Sequence, residues 1–228
     1  MDAGNQTCVL RQGPGKEGQF NMLSAEMIVE LQDRETRAGH QRGPEAAEAE
    51  AGSDWLGAVC RQHRANFELW HIEDEARAPG ATEAELAGVK RRVDRTNQRR
   101  NDLAEQLDRA LLSWLEAKGL PNPAAELNSE SPGLMIDRLS ILALKIYHTR
   151  EEAERADAPA GHAARNLERL AILEEQRADL AVCLDVLWRE TLAGTRRFKL
   201  YRQLKMYNDP SLNPAIYRHP AQARLPGE

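Results

Sequence analysis

Aromatic residues are scarce in this 228-residue chain, with three Phe, four Trp and four Tyr making up 5% of it. Sheet sandwiches and barrels draw on aromatic and β-branched residues, so the scarcity argues against those classes. The three cysteines, Cys8, Cys60 and Cys183, are odd in number and form no CxxC pair, which excludes a disulfide framework and fits a reducing compartment. No run approaches the roughly 20 apolar residues needed to span a bilayer. Residues 1–18 lack the basic start, apolar block and small-residue cleavage site of a secretory signal. A soluble, cytoplasmic protein without a membrane span is therefore expected. There is no Gly-rich dinucleotide fingerprint and no alternation of strands with helices, which argues against a conventional nucleotide-sugar glycosyltransferase fold. Gly13-Pro14-Gly15-Lys16 lacks phosphate-loop spacing, and the sequon Asn5-Gln6-Thr7 is read as a chance match. The formal charge of -5 gives no global reason to expect nucleic acid as a partner.

What is abundant is Ala, Leu, Glu and Arg, the composition of helices. The pattern predicts an all-α fold, an antiparallel bundle of about five main helices preceded by a short helix and a disordered N-terminal segment. Residues 1–52 read as a flexible region with one short helix opening at Ser24, residues 53–217 as the bundle, and residues 218–228 as a loose tail. Ser53-Asp54 signals the start of the first long helix, whose Trp55, Leu56, Val59, Cys60, His63, Phe67 and Trp70 recur at helical spacing. Thr82 followed by Glu85 is a capping box for the next, with Leu86, Val89, Val93, Leu103, Leu107, Leu111 and Trp114 as its core stripe and Gly119 as its stop. A strongly apolar helix follows Ser131-Pro132-Gly133, and another runs from about 163 to 192 with Leu167, Leu170, Leu173, Leu180, Leu184, Leu187 and Trp188 as its seam. A basic last helix is predicted over TRRFKLYRQLKMYN, its Phe and Tyr turned inward or, alternatively, its cations and aromatics cradling phosphate or a base.

Polar residues interrupt these seams at particular places. His71, Glu73, Asp74 and Arg77 stand where the first long helix should continue its apolar face, and Asn97 and Arg100 break the next, with Asn101 and Asp102 beside them. The apolar helix carries Asp137, Arg138, Lys145 and His148. Ionisable groups are costly to bury unpaired, so such a helix keeps them where they pair, reach solvent or face a ligand.

The segments HIEDEAR, NQRRND, PGLMIDRLSILALKIYH and KLYRQLKMYNDPSLNP together resemble a bacterial family known as domain of unknown function 4254, over roughly residues 50–217. The resemblance implies a helical protein without an assigned reaction, associated with glycosyltransferase genes of surface polysaccharide synthesis. Leu134 departs from the small polar residue more usual there and leaves the charged positions intact. The motif positions fall on His71, Glu73, Asp74, Arg77, Asn97, Arg100, Asn101, Asp102, Asp137, Arg138, Lys145, His148, Asn208 and Asp209.

Three functions fit these residues. A site for a phosphorylated or nucleotide-linked sugar would use Arg100, Arg138 and Lys145 against phosphate and Asn97, Asp137 and Asn208 on hydroxyls. Metal-dependent hydrolysis of a nucleotide or pyrophosphate would place Glu73, Asp74, Asp102 and Asp137 around Mg2+, the one cofactor considered. A non-catalytic partner of a glycosyltransferase would use the charges as a buried network that fixes helix register, and a homo-oligomer fits any of the three. Glu68-x-x-His71 is half of a di-iron pattern without its second half. Nucleophilic catalysis has no support, because Cys60 and Cys183 both read as seam residues.

Overall fold

In the computed structural model, which describes residues 23–42, 52, 54–204 and 211–214, nearly all regular structure lies in five helices. They are α1 (Ala25–Arg42), α2 (Trp55–Glu75), α3 (Glu83–Glu116), α4 (Pro132–Glu154) and α5 (His162–Leu192). Two short strands, β1 (Glu126–Leu127) and β2 (Arg196–Arg197), pair in parallel. The fold is an all-α bundle in which α4 packs against each of the other four helices. No helix among the described residues is long and apolar enough to cross a membrane.

Local chemistry sets the helix starts. Asp54 accepts from the Gly57 amide at 2.9 Å, and Thr82 and Glu85 form the reciprocal capping box that spares two otherwise orphaned amides. Ser131 caps α4, with Pro132 in its first turn, where a missing N–H costs nothing. Gly119 and Gly194, with φ of 72° and 73°, follow α3 and α5 in the left-handed conformation that a Cβ disfavours.

The main core gathers Leu107, Leu111 and Leu115 of α3, Met135, Ile136 and Leu139 of α4, and Leu180, Leu184, Leu187 and Trp188 of α5. Leu23 and the α1 residues Ile28 and Leu31 complete it, so α1 is built into the bundle. It is also longer than expected: residues 38–42, read as linker, continue the helix because Gly39 lets it approach Phe67 of α2 closely. Residues 43–51 of that linker lie outside the described residues, as do 1–22 and 215–228.

Three further expectations are corrected. The basic last helix does not form over 195–204: Arg196 and Arg197 pair with β1, Asn128 N donates to Arg197 O at 2.8 Å, and Phe198 is buried in the core. Tertiary partners override helix propensity there, and residues 205–208 lie outside the described residues. Leu86, Val89 and Val93 do not join the core; Leu86 is exposed and the two valines half-buried, in the part of α3 whose Arg92 and Arg99 pair with Glu75 and Glu68 at the α2 surface. Leu167 is likewise exposed, since α5 turns only one flank to α4.

Gly133 shows how tightly α3 and α4 cross. A Cβ there would sit 2.4 Å from Ala104 O and 2.8 Å from the Asp108 carboxyl. Gly133→Ala is expected to lower unfolding free energy by roughly 1–3 kcal/mol, the range for overpacking a rigid contact, read from urea denaturation midpoints.

Candidate functional site

Asp137 lies one helical turn beyond Gly133, where α2, α3 and α4 meet. Its Oδ1 accepts from Gln62 Nε2 at 2.6 Å, Asn66 Nδ2 at 3.0 Å and Arg100 Nε at 2.8 Å, and its Oδ2 from Arg100 Nη2 at 2.5 Å. The bidentate pair is buried on the carboxylate side and 22% exposed on the guanidinium side. Burial alone would lower the Arg100 pKa, yet the bond from Asp137 holds it above the usual value. Asn97 completes the cradle weakly, its Oδ1 accepting from Arg100 Nη1 at 3.4 Å.

Next to Asp137 runs a second buried chain of polar groups. Thr36 Oγ1 donates to Gln32 O at 2.9 Å, so it accepts from His63 Nε2 at 3.0 Å; His63 Nδ1 must then accept from Ser140 Oγ at 2.8 Å. Ser140 accepts in turn from Asn66 Nδ2 at 3.0 Å. The hydrogen bonds fix a neutral His63 tautomer, and burial pushes its pKa down to about 4. Gln32 Nε2 reaches Ile136 O at 3.1 Å, tying α1 to the same place. Asp108 ends the row below: it accepts from Ser131 Oγ at 2.5 Å and Gly133 N at 2.6 Å, and burial pushes its pKa up to about 6.

Above Asp137 the helices part. A pocket of about 430 Å3 is lined by Asn66, Leu69, Trp70, Glu73, Asp74, Arg77, Arg100, Ile141 and Leu144. Arg77, in the turn just after α2, pairs with Glu73 at 3.4 Å, and both Arg77 and Asp74 are exposed at the mouth. A second pocket of about 430 Å3, on the far side of Trp70, opens between α4 and α5 and contains Lys145 and His148. The His148 ring lies flat on Trp70, with centroids 4.7 Å apart and planes 8° apart. His40, His71 and His148 crowd together behind it, with centroids 4.9–6.1 Å apart. Burial, reinforced by His40, lowers the pKa of both His71 and His148.

The structure thus brings Glu73, Asp74, Arg77 and Arg100 to one pocket, with Asp137 and Asn97 behind it, and Lys145 and His148 to another. His71 lies inside the aromatic cluster, its Nδ1 3.1 Å from Phe67 O. Arg138 points to solvent and pairs with Glu130 at 2.8 Å. Asp102 is exposed and accepts from Gln98 at 2.8 Å, and Asn101 is half-buried beside it. Asn208 and Asp209 lie outside the described residues. The four acids considered for Mg2+ do not converge, and no group of three or more His, Cys, Asp or Glu among the described residues is placed to hold a metal ion. Cys183 is exposed rather than a seam residue, and the Cys60 thiol is pushed up to about 12 by burial and by Glu35.

Residues 56–200 match the model of DUF4254, a protein family of unknown function. The chain belongs to this family. No curated protein and no solved structure matches it. The DUF4254 span holds both pockets and the Asp137 network, whereas Gln32, Thr36 and His40 enter from α1, outside it. These three, with Gln62, Asn66 and Ser140, were not singled out by sequence reasoning. The signal was available for some of them: Gln32, Thr36 and His40 recur every four residues, as do Gln62 and Asn66.

Asp137→Ala is expected to cost roughly 3–5 kcal/mol in denaturant unfolding, because it strands a largely buried guanidinium. Asp137→Ala with Arg100→Leu should cost less than the single change, a coupling that a double-mutant cycle reads directly. The pH profile carries a second expectation. His63 is protonated in the unfolded chain below about 6.5 but in the folded protein only below about 4, so its contribution is whole above pH 6.5 and lost between those values, on the order of 3 kcal/mol. Asp108 acts oppositely, since its folded pKa of about 6 exceeds the ordinary 3.8 and acidification through that window favours the fold. Asp108→Asn should therefore lose stability more steeply than the parent between pH 6.5 and 4.5, with stability measured by urea unfolding at each pH.

Proposed function

We propose that the pocket between α2, α3 and α4 binds a sugar carrying a phosphate or nucleotide, and that the chain serves surface polysaccharide synthesis alongside a glycosyltransferase. The observation that carries the reading is the make-up of the pocket wall. Trp70, Leu69, Ile141 and Leu144 form an apolar side of the kind a sugar ring presents its C–H face to, and Glu73, Asp74, Asn66, Arg77 and Arg100 supply acceptors and donors for hydroxyls. A volume of about 430 Å3 accommodates one or two sugar rings and lies within the size range of small-molecule sites.

The Asp137 network belongs to the scaffold in this reading. Both carboxylate oxygens are already taken by protein donors, so Asp137 orients Arg100 and does not touch the ligand. Binding falls to Asp74, Glu73 and Arg77, whose side chains stand at the mouth. The polysaccharide setting and the glycosyltransferase partner rest on the sequence resemblance alone.

Thermal unfolding in the presence of sugar phosphates and nucleotide sugars tests the proposal, because a ligand at 100 times its Kd stabilises a folded protein by about 2.7 kcal/mol. At least one of these compounds should raise Tm, and Asp74→Asn and Arg77→Ala should each abolish the rise while leaving the unliganded Tm unchanged. If no compound shifts Tm, or if both variants respond like the parent, the pocket does not serve this purpose.

A further inference from the structure

The pocket beyond Trp70 has a different character from the one just described. It is lined by Lys145, His148, Thr149 and Glu152 of α4, by Asn166, Arg169, Ile172, Leu173 and Gln176 of α5, and by Trp70 itself. Among the described residues, several of its donors make no hydrogen bond or only one. Lys145 is exposed at the groove and makes no ion pair among the described residues. Arg169 makes none either; its one hydrogen bond runs from Nη1 to Asn166 Oδ1 at 3.2 Å, which leaves most of the guanidinium fork unused. The hydroxyl of Thr149 and the amide of Gln176 have no side-chain hydrogen bond among the described residues.

The surroundings are arranged to keep these donors in place. Asn166 is 4% exposed and anchored by its own Nδ2 on His162 O at 3.1 Å, so its oxygen holds Arg169 from a fixed base. His148 Nδ1 is engaged by Glu151 at 2.9 Å, while its Nε2 is buried without a partner among the described residues. The one acid in the lining, Glu152, is already committed to Arg155 at 3.0 Å and His162 at 2.8 Å. In the other pocket Arg100 is held by Asp137, and Arg77 meets Glu73 in an exposed pair at 3.4 Å.

We infer that the α4–α5 groove is a phosphoanion site, in which Lys145 and Arg169 hold phosphate oxygens and Thr149 and Gln176 complete the shell. Two unpaired cations beside two uncharged donors match a polyanion with many acceptor oxygens, and a guanidinium fork matches two phosphate oxygens at once. The apolar wall of Trp70, Ile172 and Leu173 leaves room for an organic group attached to that phosphate. The inference goes beyond the sugar pocket and stands without it, because it uses a different cavity and shares only Trp70 with it.

Calorimetric titration of the full chain with pyrophosphate tests this directly. The parent should bind, and Lys145→Ala with Arg169→Ala should weaken binding roughly tenfold or more, the loss expected when two charge-assisted contacts go. Both side chains are exposed, so the double variant should keep the parent Tm, which is measured alongside. The pyrophosphate binding that depends on Lys145 and Arg169 should survive Arg77→Ala. Uridine diphosphate in place of pyrophosphate asks whether the phosphate arrives attached to a larger molecule; binding that is lost in the same double variant places both in one groove. The inference is overturned if pyrophosphate does not bind, or if the double variant binds it unchanged. It is also overturned if Arg77→Ala alone abolishes binding, a result that moves the anion to the α2–α3–α4 pocket and leaves the sugar proposal standing.

Discussion

A carboxylate withdrawn from water where three helices cross is tolerable only if its charge is met on the spot, and Asp137 meets that condition through α2 and α3 together. Neither helix alone would suffice. Gln62 and Asn66 arrive from one side and the Arg100 fork from the other, so rotating or sliding either helix by one residue removes a partner that nothing else replaces. An ion pair of this kind is weak evidence for added stability, but it discriminates strongly between registers. His63, Ser140 and Thr36 extend the same demand to α1, because each has both of its roles as donor and acceptor assigned by a neighbour. The apolar core supplies the driving force for collapse, and the polar row decides which collapsed arrangement is the native one.

The same constraint shapes the cavities. With Arg100 pinned toward Asp137, the space above the pair is left to the exposed turns of α2, and Trp70 becomes a partition between two openings of unlike charge. One opening is internally balanced and walled by apolar side chains. The other, between α4 and α5, offers two cations, Lys145 and Arg169, that make no ion pair among the described residues. A division of labour follows from the geometry: residues that fix the helices lie deep and bond to one another, and residues free to meet a ligand lie higher up and toward solvent.

Much of the architecture is readable along the chain because its signals are local. The Thr82–Glu85 box, the Asp54 and Ser131 caps, and the glycines at 119 and 194 act within a turn of where they stand. Asp137 and Arg100 stand out because each is an ionisable residue inside a seam. What escaped notice depended on contacts distant in sequence. Phe198 is drawn into the core and Arg196–Arg197 onto a strand some 70 positions away, as Glu126 and Leu127 show, and no local pattern reports that. Gln62, Asn66 and Ser140 are uncharged, so their burial carries no sequence alarm until a carboxylate is found between them. The separation of Lys145 and His148 from the other motif residues is similarly invisible, since it depends on which flank of α4 faces α5.

The small parallel pairing of β1 with β2 has an effect out of proportion to its two residues per strand. It joins the chain just before α4 to the chain just after α5, and Asn122 Nδ2 on Gly194 O at 2.9 Å and Arg197 Nε on Ala125 O at 2.9 Å reinforce the junction. The hairpin of α4 and α5 is therefore buckled at its base, like tongs held at the pivot. Its tips, around residues 152–163, are joined by a turn and fastened by side chains instead of backbone, Glu152 to His162 and Arg150 to Glu174, each at 2.8 Å. Since the α4–α5 groove sits toward those tips, its mouth is spanned by solvent-facing side-chain pairs that can part and re-form while the buckle at the base stays closed.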